Sequence, residues 1–130
     1  MTSQDDFLKS YLNGIKARYD ASPYPRTHSS AETRSTSVTC FDGVKLTTEI
    51  YTPEGEGPWL TIVVRCPYPQ QVPLWQLHGS ELTQRGYALV CQWCRGTRTS
   101  EGIWEPDVNE RPDGADLLEW LEAQDWVGPI

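Results

Sequence analysis

WLTIVVRCPYPQQVPLWQLHGSELTQRGYALVCQW, residues 59–93, is the stretch that decides the fold. Its first seven residues, WLTIVVR, are nearly all apolar and rich in β-branched types, which suits a strand covered on both faces, as in a parallel sheet flanked by helices. VPLWQLHGSELTQRG then supplies a helical stretch, and Gly86 is placed to end it, because a left-handed residue at a helix terminus is most often glycine. YALVCQW is a second continuous apolar strand. Strand, helix and strand in this order imply a right-handed crossover and an α/β fold class.

Upstream, SVTCFDGVKLTTEIYTPEGEGP places Asp42-Gly43 between two runs rich in β-branched and aromatic residues. A type I′ turn needs positive φ, so this pair predicts an antiparallel hairpin leading into the parallel part of the sheet. Downstream, RPDGADLLEWLEAQ carries Pro112 near a helix start and sets Leu117, Leu118, Trp120 and Leu121 on the side expected to be buried. At the other end, DDFLKSYLNGIKARY (5–19) spaces Phe7, Leu8, Tyr11, Leu12, Ile15 and Tyr19 as an amphipathic helix with Asp5 or Asp6 as N-cap. That helix is expected to pack against the main body. Residues 21–37, rich in Pro, Ser and Thr and without period, read as a linker or loose arm in which His28 is solvated. The chain divides accordingly into 1–36, helix and linker, and 37–130, the α/β part.

The 130 residues carry a net charge of −7, with a pI near 4.7, which argues against nucleic acid or an anionic membrane as partner. No charged n-region followed by an apolar h-region opens the chain, and no stretch approaches the ~20 apolar residues of a membrane span, so a cytoplasmic location is expected. Cys40, Cys66, Cys91 and Cys94 are then expected to be reduced. The C-x-x-C spacing of CQWC invites a redox or zinc reading. On a strand, however, positions three apart point to opposite faces, so the two sulfurs diverge and the thiols read as structural. No metal or cofactor is expected. The six tryptophans are scattered over strands and helices, a pattern of core packing more than of a binding face.

Taken in order, the Asp42-Gly43 hairpin, Arg65-Cys66-Pro67-Tyr68, Leu82 to Val90, Arg95 to Gly102, and Glu119 to Trp126 resemble the start of the cocaine-esterase and X-prolyl dipeptidyl-peptidase group (CocE/NonD) of α/β-hydrolases. The resemblance covers residues 37–130. It implies a serine hydrolase that cleaves an ester or amide bond through an acyl-enzyme with a Ser-Asp-His triad. It also implies an oxyanion hole formed by a tyrosine hydroxyl just after the third strand and by a backbone N–H beside the nucleophile. Tyr68 matches that tyrosine. The residue itself agrees: ligands of α/β sheets bind beyond the carboxyl ends of strands, and a phenol held between prolines is a preorganised donor. Gln71 and Trp75, at the start of the following helix, are placed to line an acyl pocket, with packing against the helix surface the alternative for Trp75. Cys94 and Arg98 depart from the family pattern, at positions where relatives usually carry an acidic residue and a small or apolar one.

The expected nucleophile elbow would follow Trp126 and lies outside these residues, as do the triad acid and histidine. Ser100, in RTSEG, has Arg98 where an elbow needs its first glycine. Ser80 lies two positions from His78, a spacing that does not bring side chains together on a helix. The expectation is therefore a second polypeptide, or a missing downstream segment, that supplies the triad and covers the apolar edge strand, or else self-association through that edge. A small ester or amide, or a peptide, is the expected substrate class. A non-catalytic binding or regulatory module, or a truncated hydrolase remnant, is the alternative reading.

Overall fold

The computed structural model describes residues 3–130. Helix α1 spans Ser3–Asp20, strands β1 and β2 span Arg34–Thr39 and Lys45–Tyr51, and β3 spans Leu60–Cys66. A short 3₁₀ turn, Pro69–Gln71, leads into α2, Val72–Thr83; β4, Tyr87–Trp93, and α3, Glu110–Glu122, complete the chain. The sheet order is β1-β2-β4-β3, with β1, β2 and β4 successively antiparallel and β3 parallel to β4. The α/β class and the hairpin feeding a parallel pair are thus as the sequence implies.

Both faces of the sheet are covered, which is why β4 needs an unbroken apolar run. On one face Cys66, Cys91 and Trp93 form a buried cluster against Val64, Val72 and Trp75. On the other, Val38 and Val90 pack with Leu117 and Leu121 of α3, and Val63, Trp120, Trp126 and Val127 close around them. Leu118, expected on the buried side, is exposed instead, because the face of α3 that meets the sheet is the one bearing Asp113, Leu117 and Leu121 at i, i+4 and i+8.

The hairpin is real, but its turn differs from the expected type. Cys40 N–H donates to the Val44 carbonyl across a three-residue loop, Phe41–Gly43, and within the loop only Gly43 takes positive φ, at 87°. A type I′ turn would need two such residues. The extra residue and one left-handed glycine instead fit the three-residue hairpin loop.

The segment read as a loose arm is tied down. Thr27 and His28 N–H both donate to the Gln84 carbonyl, Ala31 N–H donates to Thr52, and the Ser30 and Thr83 hydroxyls meet at 2.6 Å. The boundary expected at residue 37 falls inside β1, which starts at Arg34. Helix α1 buries no residue fully, but its apolar row packs against the body as expected, with Leu8, Leu12, Ile15 and Tyr19 half-buried, while Phe7 and Tyr11 of the same helix are exposed. Charge adds to the docking: Glu81 of α2, 3% exposed, receives Lys16 of α1 together with Arg26 and Arg85. Burial alone would raise the Glu81 pKa, and the three cations outweigh it and hold the carboxyl below its usual range. Among the described residues no helix is long and apolar enough to cross a membrane.

Candidate active site

Because β3 and β4 are parallel, their carboxyl ends emerge at the same edge of the sheet, the edge at which open α/β folds bind ligands. Tyr68 stands two residues beyond the end of β3, between Pro67 and Pro69. A residue preceding proline is pushed out of the helical region, and Tyr68 sits at φ −112°, ψ 93°, in extended geometry just before the 3₁₀ turn. Its backbone is held at both ends. The Tyr68 N–H donates to Cys66 Sγ at 3.4 Å, and the Tyr68 carbonyl accepts from Gln71 N–H at 2.9 Å. The phenol ring is 52% exposed, and its hydroxyl has no hydrogen-bond partner among the described residues.

Gln71 and Trp75 are turned toward the protein. The Cys66 thiol donates to Gln71 Oε1 at 3.3 Å, so the amide closes a ring of contacts around the Tyr68 turn. Trp75 packs its indole on the Cys66, Cys91 and Trp93 cluster and lies 5.4 Å from the His78 ring. Its Nε1 is buried with no hydrogen-bond partner among the described residues.

At the carboxyl end of β4, the loop that follows is held by Glu49, Trp93, Arg95 and Asp113, which the sequence did not single out, together with Cys94 and Arg98. Trp93 Nε1 donates to Glu49 Oε1 at 2.8 Å, and Arg98, left-handed at φ 50°, pairs with the same carboxylate while stacking over the Trp93 ring. Arg95 grips buried Asp113 with two bonds of 2.7 Å and reaches Asp42 in the hairpin loop, a set of partners that raises its pKa further. Cys94 hydrogen-bonds Glu110 Oε2 at 3.5 Å, and burial pushes its pKa up to about 12, that of an inert thiol. The alternation of β2 sets Glu49 on the face of Thr47 and Tyr51, opposite Leu46 and Ile50, so no local pattern marked it as buried. The Arg98 partner depends on the loop path.

No serine and histidine are hydrogen-bonded to each other among the described residues. Ser100 is buried, its hydroxyl donating to the Trp93 carbonyl and accepting from Thr47 N–H, which makes it a loop anchor. Ser80 bonds Gln84, and His78 Nδ1 meets the Tyr19 hydroxyl. All four cysteines are free and buried. Cys40, Asp113 and Asp116 bring ligand-type atoms within 4.8 Å of one another. Both Asp113 oxygens already serve Arg95 and Asp116 accepts the Phe41 N–H, so this cluster does not fit a cation.

The expected bare edge of β3 is half covered. Trp59 pairs in parallel with Val127, through Trp59 N–H to Trp126 and Gly128 N–H to Trp59, and Thr61 N–H donates to Pro129. The alternation along β3 aims Val63 and Arg65 outward past this pairing, and neither has a backbone partner on that side among the described residues.

Residues 42–128 match the model of the X-Pro dipeptidyl-peptidase (S15 family), and the chain belongs to that family. It is 37% identical over 89 residues to cocaine esterase from Rhodococcus sp. (strain MB1 Bresler), covering 65% of this chain and 16% of that protein. Solved structures share the fold. A CocE/NonD family hydrolase from Staphylococcus aureus superposes at a TM-score of 0.64 with 20% identity, over 74% of this chain and 21% of the other. An α-amino acid ester hydrolase gives 0.59 with 24% identity, over 82% and 22%. The chain thus spans about a sixth of its curated relative, and the family it shares with that relative is one of hydrolases of the CocE/NonD type.

Proposed function

We propose that this chain forms the oxyanion side of a serine hydrolase that cleaves an ester or amide through an acyl-enzyme. Tyr68 is the group that carries the reading. Its backbone is fixed on both sides, its ring stands free at the carboxyl edge of the parallel strands, and its hydroxyl is unengaged. In the reaction a serine oxygen attacks the substrate carbonyl, the carbonyl oxygen gains negative charge, and the phenol donates a hydrogen bond to it. Because the donor is already in place, no reorganisation is needed as charge develops.

The nucleophile, its acid and its histidine would come from polypeptide that extends the pairing begun at Trp59–Val127 along Val63 and Arg65, whether a following segment or a second chain. A strand there leads to the same edge as Tyr68, which is where an elbow serine has to stand. Alone, residues 1–130 are expected to be inactive. The substrate class is an ester, an amide or a peptide.

A fluorophosphonate probe tests the first part: the 130-residue chain should remain unlabelled, while the complete hydrolase should label on a serine outside these residues. Tyr68→Phe in the complete hydrolase tests the second. Turnover of a p-nitrophenyl ester should fall about 10²–10³-fold in kcat with little change in KM. Unchanged turnover would remove Tyr68 from the oxyanion hole.

A further inference from the structure

We propose that Cys66 is a positioning residue for the reaction: its sulfur, as acceptor for the Tyr68 N–H, aims the phenol at the oxygen on which charge develops. This rests on the oxyanion reading of Tyr68 and adds to it a side chain that never touches the substrate.

Pro67 and Pro69 have no N–H, so across residues 67–69 the backbone holds a single donor, that of Tyr68. β3 ends at Cys66 and the 3₁₀ turn opens at Pro69, so neither strand nor helix fixes the chain between them. The one donor goes to Cys66 Sγ at 3.4 Å. A side-chain acceptor at residue i that takes the N–H of residue i+2 is the arrangement of an Asx or Ser/Thr turn, here with sulfur in place of oxygen.

A thiol is both a weak donor and a weak acceptor, and its hydrogen has to be held elsewhere for its lone pairs to face the amide. Gln71 holds it: the S–H donates to Gln71 Oε1 at 3.3 Å, while the Tyr68 carbonyl is the more distant acceptor at 3.7 Å. Giving up its hydrogen in this way makes the sulfur a better acceptor. The Gln71 N–H returns to the Tyr68 carbonyl at 2.9 Å, which closes a ring of three hydrogen bonds. The base of the ring is rigid. Cys66 is 3% exposed, its carbonyl accepts the Cys94 N–H at 3.0 Å, and its side chain packs with Cys91 and Trp93.

The consequence falls on the phenol. Its ring is half exposed and its hydroxyl has no partner among the described residues, so the direction in which the Cα–Cβ bond leaves the turn is what aims it. Without the sulfur the Tyr68 N–H has no acceptor and the turn is free to swing. A displacement of about 1 Å at a reacting group can cost on the order of 10²-fold in rate. The bond to the oxyanion is made in the transition state, so the loss belongs to kcat and not to KM.

Steady-state kinetics of the complete hydrolase on a p-nitrophenyl ester tests this. Cys66→Val fills the buried site and removes the acceptor, and kcat should fall about tenfold with KM unchanged. Cys66→Ser keeps a donor and an acceptor and should stay within about threefold of the parent. Packing alone would order these two variants the other way, because valine suits the apolar cluster better than a hydroxyl. In a Tyr68→Phe background Cys66→Val should cost nothing further. If valine prevents folding, Gln71→Leu breaks the same ring from outside the cluster and should show the same loss in kcat and the same silence beside Tyr68→Phe. An undiminished kcat in the folded variant, a Cys66→Ser enzyme as slow as Cys66→Val, or a full loss on top of Tyr68→Phe would overturn the positioning role and leave Tyr68 in the oxyanion hole. Unchanged turnover in Tyr68→Phe would remove both.

Discussion

Tyr51 and Gly79 touch so closely that no side chain fits between them: a Cβ on Gly79 would lie 2.3 Å from the Tyr51 ring. This is the point at which α2 comes down onto β2, and it sets the helix that begins at the Tyr68 turn against the sheet. Gly79→Ala gains helix propensity but must displace a buried ring. Overpacking of this kind costs about 1–3 kcal/mol, so the variant should melt earlier in thermal denaturation despite its better helix former.

Arg95 carries a second prediction. Asp113 is fully buried, and its charge is answered chiefly by the two Arg95 bonds. Removing the guanidinium in Arg95→Ala leaves that carboxylate stranded, which should cost about 3–5 kcal/mol in urea denaturation. Arg95→Lys keeps the charge without the fork and should recover only part of the loss. Lys16→Ala, by contrast, removes a half-exposed partner from Glu81 that Arg26 and Arg85 still satisfy, and should move stability by well under about 1 kcal/mol.

His78 makes stability depend on pH near neutrality. Burial lowers its folded pKa below the ordinary 6.5. The unfolded chain therefore binds the proton more readily, and stability falls as pH drops from about 6.5 toward the folded value. Melting temperature measured between pH 8 and 5 should decline on the acid side, and His78→Gln should flatten that limb. A decline of equal size in the variant would assign it to other groups.

The thiols give a local probe of the Tyr68 turn. Burial pushes Cys40 up to about 11 and Cys91 and Cys94 up to about 12, and Cys66 is held against Gln71 and the Tyr68 N–H. A thiol-specific disulfide reagent at pH 8 should therefore react slowly with the native chain and with all four cysteines once it is denatured. Gln71→Ala removes the acceptor of the Cys66 thiol and should speed labelling at Cys66 ahead of the others. Labelling that accelerates equally at Cys91 would point to general loosening instead.

Much of this was legible in one dimension. β4 announces itself as seven apolar or buried residues in a row because both faces of a parallel sheet are covered. The extended backbone of Tyr68 was legible because two prolines restrict it whatever surrounds it. The misreadings share a cause. Leu118, and Phe7 and Tyr11 of α1, were placed on apolar faces by periodicity, which reports that such a face exists and not which of its residues meets a neighbour. The arm expected over 21–37 looked loose because its bonds go to Gln84 and Thr52, partners that no local pattern reveals, and its last residues join β1. The contact between the Gln71 Oε1 and the thiol of Cys66, five residues earlier, was likewise not legible, because it depends on the fold of the turn.

The order of elements, the hairpin, the crossover and the position of the phenol followed from sequence alone, since each rests on local sterics and on short-range alternation of apolar residues. Tertiary structure decided the rest. It put Glu49, Trp93 and Arg98 in one cluster, gathered Lys16, Arg26 and Arg85 on Glu81, and started a strand at Val127 beside Trp59. Those pairings join residues far apart in the chain, and their energy depends on burial and distance, quantities that exist only once the chain has folded.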